Sequence, residues 1–203
     1  MSLIILLVIV GVAAFWVMGA YNGLISLKNQ VANAWKQIDV QLKRRHDLIP
    51  NLIESVKGAM QFEKQTLEAV IAARNTAIAA AQGAAGAGTD VPTAQAVTKT
   101  AAAEGQLTAS LGRLFAVVEA YPQLKATGNI AQLQEELVST ENKIAFSRQL
   151  YNDTATDYNT KQQQFPTNFV AGLAHASPAQ LWEISDAAER ENVKVDLGMN
   201  PKA

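Results

Sequence analysis

From Leu3 to Ala20 every side chain is apolar or glycine, and the first charged residue is Lys28. At ~1.5 Å per residue such a run is long enough to cross a hydrocarbon core. A transmembrane anchor is therefore expected over residues 1–27. It would present Leu3, Ile4, Leu7, Val10, Phe15, Trp16 and Tyr21 to lipid, with Trp16 and Tyr21 at one end as an interfacial aromatic belt places them. A cleaved signal peptide would want Lys or Arg before the apolar core and an Ala-x-Ala-like site after it. Nothing basic precedes Leu3 and Met18-Gly19-Ala20 is a poor cleavage triplet, so the pattern favours an uncleaved span.

Beyond the anchor the apolar positions step by three or four, the spacing of a helix seam. The first such stretch runs from about Leu24 to Ala81, through Leu27, Val31, Trp35, Ile38 and Leu42, then Ile49, Leu52, Val56, Met60, Leu67, Val70 and Ile78. The second runs from about Thr93 to Tyr121 through Leu107, Leu111, Leu114 and Val118. The third runs from about Ile130 to Tyr158 through Leu133, Leu137, Ile144, Tyr151 and Ala155. No period-two alternation marks a strand. The reading is all-α: an elongated antiparallel helical bundle of three to four long helices, preceded by an N-terminal transmembrane helix.

Helix breakers place the connections. Pro50 lies inside the first stretch and predicts a kink or a break, since proline removes a backbone donor and crowds the preceding turn. Gly58 softens the turn after it. The Gly/Ala-rich segment 83–92 predicts a loop, with Asp90 as an N-cap for the second stretch. Residues 122–129 form the next connection, with Asn129 as N-cap and Gln132 in the reach-back position of a capping-box-like pair. Phe165-Pro166 closes the bundle, which thus covers 28–165, and 166–203 is read as short helices and a tail. The Ala-rich part from Ile78 to Ala103 favours helix but offers little apolar surface, so weak packing is expected there; its small side chains also permit a self-association surface.

Composition narrows the function. The chain of 203 residues carries 17 Lys+Arg against 18 Asp+Glu, which argues against nucleic-acid partners. It has no Cys, which removes disulfides, thiolate metal sites and a cysteine nucleophile. The two histidines, His46 and His175, lack a Glu three residues before them, as a di-iron bundle would require. There is no G-x-S-x-G, Walker or dinucleotide-binding motif. No catalytic residue, metal site or cofactor is predicted.

The most unusual segment is Asp39 to Asp47, where Arg45 falls on the apolar seam between Leu42 and Ile49. Arg148 falls similarly between Ile144 and Tyr151, and Glu141 lies one helical step before Ile144. A charge on a seam needs a partner or a wet interface. The plain expectation is a buried ion-pair network of Arg45, Glu141 and Arg148 that fixes helix register. The sharper one is a basic lipid- or partner-binding patch of Lys43, Arg44 and Arg45. Distance disfavours the patch, because a straight helix lifts Arg44 ~35 Å above the span, beyond a Debye length of ~8 Å. Tyr151-Asn152 and Tyr158-Asn159 repeat one pair at a spacing of seven and put the same chemistry on one face.

Several segments together resemble the LemA family: Tyr21-Asn22 after the apolar N-terminus, Ala34 to Gly58 with its Lys-Arg-Arg-His-Asp-Leu-Ile-Pro-Asn core, Glu119 to Ala126, Leu133 to Leu137, Thr140 to Ala145, the two Tyr-Asn pairs and Phe165-Pro166. The resemblance covers roughly Tyr21 to Ala171, with the Ala/Gly-rich middle as its loose part. Gln61-Phe62-Glu63 departs from it, since the family often shows His-Glu there. The resemblance implies an antiparallel bundle on an N-terminal transmembrane helix, with a short N-terminus outside the cytoplasm and no established enzymatic activity.

The expected function is a non-enzymatic, membrane-anchored scaffold acting through protein–protein contacts and self-assembling as a homo-oligomer. The bilayer is its first partner and an unidentified membrane protein a second candidate. The alternatives are a lipid-binding or membrane-shaping protein, and a bundle enzyme or metalloprotein using its Glu-rich helices. The basic residues after the span, Lys28, Lys36, Lys43, Arg44 and Arg45, put the body in the cytoplasm of a single-pass inner or cell membrane protein. A periplasmic body is the alternative.

Overall fold

The computed structural model describes residues 1–58, 63–85, 91–121, 128–174 and 176–183. Within them the chain forms five helices and no strand. They are α1 (Ser2–Lys57), α2 (Lys64–Ala85), α3 (Ala94–Glu119), α4 (Gly128–Gln163) and the short α5 (Thr167–Leu173).

Residues 2–19 of α1 are exposed on all sides, and no part of its apolar window is buried in the protein. By length and composition this is one helix able to cross a membrane. The same helix then changes character without a break. From Leu24 onward one stripe turns inward, through Val31, Trp35, Ile38, Leu42, Ile49, Leu52 and Val56. Burial along that stripe, not a change in helix propensity, separates the two halves of α1.

The long helices form an up-down-up-down bundle. The near end of the core, beside the apolar segment, takes Leu24 to Leu42 from α1, Ala84 from α2, Val97 and Ala101 from α3, and Ile144 to Tyr158 from α4. The far end takes Ile49 to Val56, Leu67 to Ala77, Ala103 to Val118, and Ile130 and Leu137. So α1 and α3 run away from the apolar segment, and α2 and α4 return. α1 packs along α4 and α2 along α3.

Several expectations change. Pro50 does not break α1, which continues to Lys57. Proline at position 50 deprives the His46 carbonyl of its intrahelical donor. Arg74 on α2 supplies a substitute: its Nε donates to the His46 oxygen at 2.7 Å. The single stretch read from Leu24 to Ala81 is instead divided, because α1 stops at Lys57 and α2 begins at Lys64; Met60, Gln61 and Phe62 lie outside the described residues. Helix α2 runs through Gly83 to Ala85, into the segment read as loop.

The cap of α3 is Thr93, whose hydroxyl accepts from the Ala96 N–H at 3.2 Å. Asp90, expected in that role, lies outside the described residues. Asn129 is already inside α4, and Gln132 points forward to Glu136 at 3.5 Å rather than back to a cap. The Ala-rich turns are better packed than their composition suggested. Ala77, Ala84, Ala101 and Ala103 are buried, and Thr100 donates across to the Ala80 carbonyl at 3.4 Å. Small side chains let α2 and α3 approach closely, so their packing is internal.

Candidate functional site: a buried charged layer and an asparagine clasp

The near and far halves of the core are separated by a layer of charge. Arg45 is 2% exposed, although it occupies a seam position of α1. Its guanidinium pairs with Glu104 of α3 and Glu141 of α4, and donates to Thr108 Oγ1 at 3.1 Å. His46, the next residue, meets the second oxygen of Glu104, with Nε2 2.8 Å from Oε1. One residue of α1 thus joins three helices. Arg45 Nε has no partner among the described residues, so the layer is satisfied incompletely.

Glu104 is 3% exposed, and burial alone would raise its pKa. The hydrogen bond from His46 and the charge of Arg45 outweigh burial and hold the carboxyl below its ordinary value of 4.5. An ionised carboxylate only accepts, so His46 Nε2 carries the proton of that bond. Glu141 lies at the edge of the layer, its side chain 37% exposed, with Arg148 at 3.9 Å. Arg148 in turn lies over the Trp182 ring, 5.7 Å from its centroid.

The sequence pointed to Arg45, Glu141 and Arg148 as one buried network; in the structure each arginine meets Glu141, but only Arg45 is buried, and Glu141 and Arg148 lie on the partly exposed rim. The structure places Glu104, His46, Thr108 and Arg74 beside them as well, which sequence reasoning missed. For Glu104 the signal existed: it falls on the α3 seam between Val97 and Leu111, as Arg45 does on α1. For Arg74 no local pattern announces a bond to a carbonyl freed by proline.

The basic patch is not formed as read. Lys43 and Arg44 face solvent, but Arg45 turns into the core, because its helical phase follows Leu42 and Ile49. Nor do three His, Asp or Glu side chains converge in metal-binding geometry among the described residues. His175 lies outside them.

The repeated Tyr-Asn pairs build a second polar feature at the near end. Residues 176–183 form no helix and lie along α4. Asn152 accepts from the Trp182 N–H at 2.8 Å and donates to the Trp182 carbonyl at 3.0 Å. Asn159 does the same for Ala179, at 2.7 and 2.8 Å. Between them Tyr151 donates its hydroxyl to the Gln180 carbonyl at 2.7 Å. Two helical turns from Asn152 to Asn159 rise ~10.5 Å. Three extended residues from Ala179 to Trp182 span ~10 Å. That match lets one helix face clasp the backbone at both ends, and the amides recognise main chain rather than side-chain identity. Trp182 then packs on Trp35, with centroids 5.8 Å apart, and Trp35 meets Tyr151 edge-on at 5.3 Å. Burial pushes the Tyr151 hydroxyl pKa upward, so it stays a donor.

An open groove of about 610 Å³ runs on the outside between α1 and α4, lined among others by Gln37, Gln41, Glu135, Asn142, Lys143 and Phe146. Val40, Val138 and Phe146 are exposed. The buried layer thus joins helices, while the accessible surface offers mixed polar and apolar contacts.

Known proteins resemble this chain in sequence. Protein LemA of Metamycoplasma hominis is 29% identical over 189 residues, covering 92% of this chain and 78% of that protein. Magnetosome protein MamQ 2 of Paramagnetospirillum magneticum is 32% identical over 87 residues, 43% of this chain and 32% of its own. Magnetosome protein MamQ of Magnetospirillum gryphiswaldense is 23% identical over 163 residues, 74% of this chain and 60% of its own. The chain therefore spans less than two thirds of either magnetosome relative. The LemA family model matches residues 34–197, a span holding the charged layer and the clasp together, and on that match the chain belongs to the LemA family.

Proposed function

We propose that this protein is a membrane-anchored, non-enzymatic scaffold that acts through protein–protein contacts and assembles with copies of itself. The observation that carries the reading is the continuity of α1, one helix of 56 residues running from the apolar segment into the bundle. No flexible linker intervenes. Copies anchored in one bilayer would hold their bundles at one height, and anchoring raises their effective concentration.

Two features support this. The buried ionisable groups of the charged layer are occupied with one another across α1, α3 and α4, as helix register requires. The outward α1/α4 face carries exposed Val138 and Phe146 in an open groove, a surface suited to contact with another protein. The names of the relatives, Protein LemA and Magnetosome protein MamQ, specify no reaction. The orientation expected from basic residues puts the body in the cytoplasm.

The chain has no cysteine, so a single one reports cleanly. Phe146→Cys in vesicle-reconstituted full chain should crosslink between copies, whereas Thr98→Cys on the outer side of α3 should not. In detergent, the parent chain should sediment as more than a monomer at raised concentration. Sedimentation as a monomer throughout, with equal crosslinking at both cysteines, would overturn the reading.

A further inference from the structure

Helix α5 has two unlike faces. Thr167, Val170 and Ala171 are buried against α1 and α4. Phe165, just before it, and Phe169 and Leu173 within it recur every four residues and stand outward, 81%, 67% and 77% exposed. The two phenyl rings meet edge-on at 6.1 Å, forming one continuous apolar ridge.

The bundle register gives the height of this ridge. Arg45 of α1 reaches Glu141 of α4, and Trp35 reaches Tyr151. Ten residues along one helix thus match ten back along the other. Continued by twelve residues, the register sets Gln163, the last residue of α4, level with Gly23. Val170 and Ala171 share a core cluster with Leu24, which agrees. The apolar run Leu3–Ala20 is ~27 Å long, close to a hydrocarbon thickness of ~30 Å. Its end therefore lies only a turn below α5, and exposed Trp16 and Tyr21 mark that level. The chain between Tyr158 and Trp182 contains no Asp or Glu, so no carboxylate of that segment opposes contact with lipid.

We propose that Phe165, Phe169 and Leu173 insert into the headgroup–acyl boundary of the bilayer that α1 crosses, giving the body a second lipid contact. The proposal rests on the reading of α1 as a span, and bilayer lipid is the occupant because the ridge continues that segment sideways at its boundary. A single span leaves a body free to swivel and tilt. A second contact on one side fixes the tilt, and with it the direction in which the α1/α4 face points.

The test uses full chain in phosphatidylethanolamine–phosphatidylglycerol vesicles, with an environment-sensitive fluorophore on a single cysteine at Ala14, Thr98 or Leu173. Labelled Leu173→Cys should lose accessibility to aqueous iodide and gain quenching by doxyl-labelled lipid, as Ala14→Cys does. Thr98→Cys, exposed on α3, should show the reverse. With Ala14→Cys protected, a Leu173 label open to iodide overturns the second contact and leaves the anchor intact. A Leu173 label shielded from iodide yet unquenched by doxyl lipid means protein covers the ridge, which also overturns it. Exposure of Ala14→Cys itself overturns the anchor and the contact together. Labelled Phe165→Cys repeats the readout at a second position of the ridge.

Discussion

The charged layer and the asparagine clasp are both polar features set into a hydrophobic bundle, but they solve burial differently. Arg45 and Glu104 are ions removed from water, bound to each other and still leaving Arg45 Nε without a partner among the described residues. Asn152 and Asn159 are neutral amides, and each matches a backbone N–H and C=O with its own acceptor and donor. The first arrangement tolerates loss of a partner badly, because the survivor is a buried charge. The second loses two ordinary hydrogen bonds at a time. A charged layer is a strict register key between helices; an amide clasp is a replaceable fastening for one segment.

The largest effect should come from Arg45→Met. It leaves the buried Glu104 carboxylate with His46 but without its countercharge and should lower stability by ~3–5 kcal/mol, read by denaturant unfolding of the helical signal. Adding Glu104→Leu to that variant should recover much of the loss, since replacing both members of a buried pair with apolar groups is often close to neutral. If the double variant is no more stable than Arg45→Met, the layer is not acting as a paired-charge key.

The second prediction concerns pH. The Glu104 pKa is held below its ordinary 4.5, so its contribution is complete above that value and fades as pH falls through the lower folded-state pKa. Unfolding midpoints should drop on that acid side, and Glu104→Gln should flatten the acid limb while costing stability at neutral pH. The clasp contains no group that titrates there.

Smaller effects follow at the clasp. Asn159→Ala or Asn152→Ala should each cost ~1–3 kcal/mol. The sharper readout is local: protease cleavage within 176–183 should accelerate, and Trp182 emission should shift as the ring leaves Trp35, with bundle helicity retained. Asn152→Asp keeps an acceptor for the Trp182 N–H but faces its carbonyl with an oxygen, so it should behave more like Ala than like Asn. The smallest effect belongs to Lys64→Ala, whose pair with Glu68 is 3.5 Å long and exposed; a change within ~0.5 kcal/mol is expected.

The local patterns carried a great deal. Three- and four-residue stepping of Leu24, Leu27, Val31, Trp35, Ile38 and Leu42 identified the inward stripe of α1, because helical period alone decides which side chains share a face. The charge-free run identified the segment able to cross a membrane, because backbone length and side-chain polarity suffice for that. The anomaly of Arg45 on a seam was visible too, and Glu104 on α3 was legible by the same rule, although the alanines before it mark that seam only weakly.

What the chain determined by itself was therefore periodic or local: helix faces, an apolar segment, and charges standing where apolar residues belong. What tertiary structure alone decided was pairing across distance. Glu104 finds Arg45 over 59 residues, Arg74 finds the carbonyl that Pro50 frees, and Asn152 and Asn159 find an extended backbone whose rise matches two helical turns. Helical periodicity says which way a side chain points. Only the packing of one helix on another says what it meets there.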